Sequence, residues 1–501
     1  MLTRWASVSL AISISSLIFY VILQYVTNSI NNAVKEPYMD EIFHVPQAQQ
    51  YCRGDFKSYD SKITTPPGLY LISYALLWLR DKFFYQRDIP ICDIVDLRGI
   101  NHLIAILNFA LVILIQLITS DKNRKHCCTT RMQIIGNSWS LDLTLILLNS
   151  IAIATLPPLF LFYSLYYTDI GSLFFTLLVY YLSLIDEHVL ASICGLISVM
   201  FRQTNIVWIF FITGSMILRN LEEHYRGELS DRSSKGITKN DNSKQRFLAG
   251  RFSVGQYKQT LAAIGAPFFQ DIDFFLRLFK DCLPYGLLGI LFVVFVYINK
   301  GIVLGDKEAH QPKLHLAQIL YFLGFCSVFG ASWIFNIRLL RRFLYFTIRN
   351  PLTTIVTSLA IIYLISFDRY AHPYLLADNR HITFYIWRRV LDRHNSYVPY
   401  MLTPLYLAAS FSIWHQLRSQ GWKRIFLFLF CSISVIVPNG LLELRYFIVP
   451  YTFLRLSAKV TKIDVLLEIG NNILINIALH YLFLNKTFRW SDSQDLQRIM
   501  W

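Results

Sequence analysis

Asp40 and Glu41 are adjacent carboxylates with His44 three residues past the second, inside a polar run, 35–52, that follows the first membrane-length apolar stretch. A carboxylate is the usual base for a sugar hydroxyl. The amides of Gln47, Gln49 and Gln50, with Tyr38 and Tyr51, add the hydrogen-bonding groups of a surface that holds a sugar. Taken alone, an acidic cluster is more often solvated surface. The rest of the chain has to decide between these readings.

Of the 501 residues, 54% are hydrophobic and 16% charged, and the apolar residues fall in blocks too long and uniform for a soluble core. The chain therefore reads as a polytopic integral membrane protein. Lipid offers no partner to backbone amides, so each block must be helical and the fold all-α. Strand-like alternation is absent, which excludes a barrel. The formal charge of +15 sits in short loops between apolar runs. There it orients the chain and meets anionic headgroups, so membrane lipids and not nucleic acid are the expected partners. The eight cysteines show neither paired CxxC nor Cys/His spacing, so no metal site and no cofactor is expected.

A single membrane domain, 1–501, is expected, opening with a retained span from Trp5 to Val26 behind Arg4. Residues 28–97 form the first non-cytoplasmic loop and carry the acidic pair. Within it the apolar part of 64–79 is too short to cross and reads as an interfacial or re-entrant helix started by Pro66-Pro67-Gly68. With that segment non-spanning, the N-terminus and the basic 120–140 loop (Lys122, Arg124, Lys125, Arg131) share the cytoplasmic face. Further spans fall near 98–119, 141–163, 171–186, 189–201, 205–218, 283–299, 315–337, 351–367, 397–414, 425–437 and 460–484, about twelve helices in all. Residues 219–282 lack apolar periodicity and are expected to form a cytoplasmic, largely disordered loop. The sequon Asn485-Lys486-Thr487 falls on the expected cytoplasmic tail. Cys52 and Cys92 lie on the same face as the acidic pair, and whether they pair is open.

This topology places four polar segments on the face of Asp40 and Glu41: 162–169 with Asp169, 201–205 with Arg202 and Gln203, 372–387 with His372, Asp378, Asn379, Arg380 and His381, and 439–451 with Arg445. Each joins aromatics to charge. Arginine grips phosphate bidentately, which makes Arg380, His381, Arg202, Arg445 and Arg98 candidates for a lipid phosphate. The bland readings differ: Arg98 snorkelling at a helix end, Asp169 capping a helix, His44 and His372 as ordinary interfacial histidines.

The segments 37–52, 62–70, 166–169, 201–205, 372–387 and 442–451 resemble the eukaryotic dolichyl-phosphate-glucose-dependent α-1,2-glucosyltransferases of lipid-linked oligosaccharide assembly, over most of the chain. The resemblance implies the GT-C architecture with lumenal juxtamembrane helices, an endoplasmic reticulum membrane location and a lumenal active site. It implies dolichyl phosphate glucose as donor and a diphosphodolichol-linked oligosaccharide bearing two glucoses as acceptor. Relatives of this architecture place an Asp-Glu pair in the first lumenal loop, which Asp40-Glu41 match. A β donor and an α product require inversion, so one base across the ring from the leaving group suffices. Helix neighbours point about 100° apart, so one carboxylate faces the acceptor. Asp40 is assigned as base, with Glu41 positioning the acceptor or holding a basic partner. Phosphate stabilisation is expected from Arg380, His381, Arg202 and Arg445 in falling order, with activity insensitive to chelators. The competing readings are a sibling enzyme with another dolichyl-phosphate sugar, a transporter or scramblase, and a non-catalytic partner of another membrane protein.

Overall fold

The first apolar run can satisfy its amides only internally, and in the computed structural model Leu2–Ala33 form one unbroken helix, α1. The structure describes residues 2–127, 138–234, 271–308, 311–367, 372–391, 397–491 and 495–501. The main helices that follow are α2 (Glu41–Cys52), α3 (Gly68–Phe84), α4 (Ile94–Cys127), α5 (Ser138–Ala154), α6 (Pro157–Phe162), α7 (Thr168–Leu184), α8 (His188–Phe201) and α9 (Asn205–Ser234). Then come α10 (Ile272–Asn299), α11 (Gln318–Phe329), α12 (Ile337–Arg349), α13 (Pro351–Phe367), α14 (Thr403–Leu417), α15 (Trp422–Ile436), α16 (Ile448–Ser457) and α17 (Lys462–Asn485). Among the described residues the only strands are the short antiparallel pair β1 (Thr487–Phe488) and β2 (Gln497–Arg498).

The protein is a helical, multi-pass membrane protein. Four described helices are long and apolar enough to cross: Ser9–Ala33, Ile94–Ser120, Ile272–Asn299 and Lys462–Asn485. The pair α12 and α13, bent by 105°, makes a fifth if it is one span. Pro351 sets that bend, since the residue before a proline is kept out of helical geometry. The expected total of about twelve also counts shorter apolar helices such as α7, α8 and α11, which a 30 Å hydrocarbon layer exceeds in length.

The run expected as one span over 141–163 is two helices, because Pro157-Pro158 interrupt it. The break strips the carbonyls of Ala152 and Thr155 of their helical partners. Asn472 and Asn476 of α17 replace them, donating to Ala152 O at 3.0 Å and Thr155 O at 2.8 Å. A single polar side chain thus repairs each opening at membrane depth.

The ends of the stretch expected to be disordered, 219–282, are helical, since α9 runs to Ser234 and α10 starts at Ile272. Leu221 and Tyr225 on one helix and Phe274 and Leu278 on the other are buried at helical spacing, and His224 stacks on Phe274 at 4.2 Å. That sparse apolar face is what the sequence reading missed. Its centre, 235–270, lies outside the described residues, as does Arg131; the basic loop expected from 120 begins later, because α4 continues to Cys127.

On the side of the acidic pair, Cys52 and Cys92 form a disulfide that closes a loop of sequence separation 40. Chain-entropy arguments put such a closure at about 4 kcal/mol, and persistence of a disulfide fits an oxidising compartment. The segment 64–79 is helical as α3, packed on α2 and α8. A Cβ on Gly68 would stand 2.6 Å from the Met200 carbonyl carbon, so only glycine lets α3 start this close to α8.

The C-terminal tail lies on the Asp40 side, not on the opposite side as expected. Arg498 donates to the terminal carbonyls of both α17 (Phe483 O and Leu484 O) and α1 (Ala33 O), and its own carbonyl accepts from Tyr38 Oη at 2.7 Å. A basic residue here caps helix C-termini and carries no topological signal. The sequon at Asn485 therefore shares the face of the acidic pair.

Candidate active site

The two carboxylates part company at the start of α2. Met39 holds a left-handed backbone (φ 58°), and Asp40 follows as the N-cap of α2 without spending its side chain on the helix. Glu41 turns inward. Arg98 of α4 donates to it from Nε at 2.8 Å and Nη2 at 2.6 Å, and the backbone N–H groups of Tyr166 and Tyr38 add bonds of 2.7 and 3.1 Å. Arg98 spends its remaining nitrogen on Asn31 Oδ1 and Val34 O. Both side chains are 0% exposed. Glu41 holds a basic partner, one of the two roles expected for it; Arg98, expected as a phosphate ligand, is sealed inside the protein and reaches no cavity.

Asp40 turns the other way, into a cavity of about 630 Å³. Its Oδ2 accepts from Arg445 Nη1 at 2.6 Å, across 405 residues of sequence, and its backbone N–H donates to Tyr167 Oη at 3.2 Å. No described residue bonds Oδ1, and 36% of the side chain is open. Arg445 also chelates Glu443 and lies over the Tyr167 ring at 5.9 Å. Tyr167 is fixed because Asn101 Nδ2 donates to the carbonyls of Leu165 and Tyr167. Burial pushes the Asp40 carboxyl up, but the charge and hydrogen bond of Arg445, helped by His44, outweigh it and bring it to about 2. Burial works against the Arg445 guanidinium too, yet Glu443 and Asp40 hold it well above its ordinary range.

His44, one helical turn after Asp40, lines the same wall and shares a 2.6 Å hydrogen bond between Nδ1 and Tyr70 Oη. Burial, with the charges of Arg445 and Arg202 and against Asp40, lowers it to about 4, so it is neutral at physiological pH. Across the cavity Asp169, at the start of α7, pairs with Arg202 at 2.9 Å, and the Arg202 guanidinium lies 5.8 Å over the Tyr446 ring. Asp169 Oδ2, Arg202 Nε and Thr65 Oγ1, on residues that line the cavity, are buried atoms with no protein partner among the described residues. Gly171 lies two residues on from Asp169: a Cβ there would stand 2.0 Å from the Phe201 ring, so glycine sets the approach of α7 to the residue before Arg202.

Gln203 lines the cavity and holds the Thr64 carbonyl at 2.7 Å. His372 lines it while capping the helical turn Pro373–Ala377. The others of that loop are elsewhere. Arg380 is chelated by Asp378 (Nη2 at 2.7 Å) and stacked at 4.7 Å on Trp490, whose indole donates to Asn379 Oδ1. His381 faces a small side pocket shared with Asp40, Arg445, Met500 and Trp501. The expected order of phosphate ligands is thus rearranged: Arg202 and Arg445 reach the cavity, His381 only its side pocket, and Arg380 and Arg98 neither. The density of polar groups around Arg380 reflects their satisfying one another.

One wall escaped the sequence reading. The segments 303–308 and 311–313 lie at the mouth, with the N–H groups of Leu304, Gly305 and Asp306 bonded to the carbonyls of Thr64, Ile63 and Ser61, and they contribute Glu308, Gln311 and Lys313 to the lining. The signal was present as a polar run between two apolar ones on the same face. Among the described residues no group of three or more His, Cys, Asp or Glu is arranged to hold a metal ion.

No solved structure matches the chain. It is 36% identical over 478 residues to a human protein named Dol-P-Glc:Glc(2)Man(9)GlcNAc(2)-PP-Dol alpha-1,2-glucosyltransferase, covering 95% of both chains. Proteins of the same name from Drosophila melanogaster and Arabidopsis thaliana are each 33% identical, covering 94% of this chain and 95% and 96% of theirs. Residues 34–456, which hold Asp40 and every residue named above as lining its main cavity, match the DIE2/ALG10 family, and the chain belongs to that family.

Proposed function

We propose that the protein is an inverting glucosyltransferase of the endoplasmic reticulum membrane. It moves glucose from dolichyl β-D-glucosyl phosphate to a diphosphodolichol-linked oligosaccharide carrying two glucoses, in α-1,2 linkage, the last step before the oligosaccharide goes to protein. The frame is read as GT-C, with the site facing the lumen; the disulfide on the Asp40 side supports that orientation. The observation that carries the reading is a carboxylate with one oxygen tied to an arginine and the other open, in a cavity that also holds a second carboxylate–arginine pair.

The acceptor hydroxyl hydrogen-bonds to the free Oδ1 of Asp40 and attacks the glucose C1. The bond from C1 to the phosphate oxygen breaks on the opposite face, and the hydroxyl proton passes to Asp40. A carboxylate held at about 2 is a weak base toward a resting hydroxyl. It suffices here, because the hydroxyl becomes strongly acidic as its oxygen bonds to an oxocarbenium-like carbon. Arg445 keeps Asp40 ionised and aimed. Dolichyl phosphate leaves as an anion, already a good leaving group, and Arg202 is placed to take its charge. Asp169, His44 and Thr65 are the hydrogen-bonding groups for sugar hydroxyls.

The test offers the purified protein in lipid nanodiscs dolichyl phosphate glucose or dolichyl phosphate mannose with the diglucosylated acceptor. Transfer of glucose alone is expected. Equal or preferential use of mannose would reassign the protein to a sibling activity.

A further inference from the structure

The helices that frame the Asp40 cavity carry a second one at their other end. Along α9 from Asn205, which lines the first, to Arg226, which lines the second, is about 30 Å at 1.5 Å per residue. The second cavity measures about 690 Å³. Its rim holds Arg219, Arg226, Arg424 and Lys459 against Glu222 and Glu223. Two of the cations are committed, Arg219 to Asp186 at 2.6 Å and to the Ser183 carbonyl, and Arg424 to Glu222 at 2.9 Å. Arg226 and Lys459 are exposed and have no ion-pair partner among the described residues. The rim therefore keeps two unspent cations against one unspent carboxylate.

The floor has the opposite character. It is made by Phe211, Phe428 and Phe453, whose rings meet edge to face at 5.2 to 6.1 Å. Phe453 stacks at 5.2 Å on Trp208, a residue of the Asp40 cavity, so an aromatic septum separates the two spaces. A free phosphate would gain nothing from that floor. A molecule with an anionic head and an apolar chain satisfies both halves.

We propose that this cavity is a binding site for an anionic membrane lipid, its phosphate held by Arg226 and Lys459 and its chain seated on the Phe211–Phe428–Phe453 floor. The site is independent of catalysis at Asp40, and its ligand is defined by chemistry: a negatively charged phospholipid of the leaflet opposite Asp40.

The experiment reconstitutes the full-length protein in nanodiscs of phosphatidylcholine with trace phosphatidylserine or phosphatidic acid and reads retained lipid by native mass spectrometry. Wild-type protein keeps an anionic lipid in preference to phosphatidylcholine. The double variant Arg226→Gln/Lys459→Gln loses that preference by about 10- to 30-fold, given roughly 1 kcal/mol per basic residue near a charged surface. Arg226→Lys keeps it, and Glu223→Gln strengthens it; both guard against a misfolded double variant, as does an unchanged gel-filtration profile. Equal retention by wild type and double variant would overturn the site. So would stoichiometric displacement of the lipid by inorganic phosphate alone, since that makes the ligand a free anion.

Discussion

Glu41 gives both oxygens to Arg98 and two backbone amides and is wholly buried, whereas Asp40, one residue earlier, gives one oxygen to Arg445 and keeps the other open to a cavity. The two side chains are nearly the same chemically. Their surroundings make one a bolt that ties α1, α2, α4 and the loop before α7 together, and the other a reactive group. What separates them is the left-handed turn at Met39 and the start of the helix at Asp40, which send successive side chains to opposite sides of one wall. A saturated carboxylate has no lone pair left for a substrate. The contrast teaches that, in an acidic pair, the count of partners already held assigns the role.

The largest effect expected is on Asp40. Asp40→Asn removes the base, worth about 10²–10⁴-fold in turnover, while the protein still folds and inserts. Turnover in microsomes, with folded protein measured by gel filtration, reads both.

Glu41→Gln is expected to do the reverse, lowering the amount of folded protein. Stripping one partner from a buried ion pair costs about 3–5 kcal/mol. Replacing both, Glu41→Met with Arg98→Met, should recover much of the loss in thermal-melt measurements. A Glu41→Gln protein that melts like wild type but turns over as poorly as Asp40→Asn would erase the contrast.

Arg445→Gln sharpens it through pH. With Arg445 present the Asp40 carboxyl sits at about 2, below its ordinary value, so its ionised form and the stability of that pair persist above the ordinary range and fade only as pH falls toward about 2. Without Arg445 burial prevails and the carboxyl rises. The acid limb of the remaining activity should move toward neutral pH, and an unmoved limb would detach Arg445 from Asp40.

The smallest effect lies away from both carboxylates. Asn476→Ala leaves the Thr155 carbonyl without its partner, at a cost of about 1–3 kcal/mol, lowering the melting temperature without a specific loss of turnover.

Much of this site was legible in sequence because charge stands out in an apolar chain: Asp40, Asp169, Arg202 and Arg445 were all picked from short polar segments. What the sequence could not show was which charges were already spent. Arg98 meets Glu41 across 57 residues, and only their common burial reveals that neither reaches substrate. Arg380 and Asp378 stand two residues apart and neutralise each other, a pairing that in sequence looks like a rich binding loop. The tail was placed on the wrong side by the count of about twelve crossings, while Arg498 ties it to the ends of α1 and α17 beside Tyr38. Likewise 141–163 was expected as one span although Pro157-Pro158 break it, and the asparagines that make the break tolerable lie more than 300 residues away.

The most direct test of the central assignment is single-turnover transfer by Asp40→Asn in protein loaded with both lipid substrates. Donor affinity should match wild type while the chemical step slows by at least about a hundredfold. A chemical step within a few-fold of wild type, or a defect confined to donor affinity, would contradict Asp40 as the base.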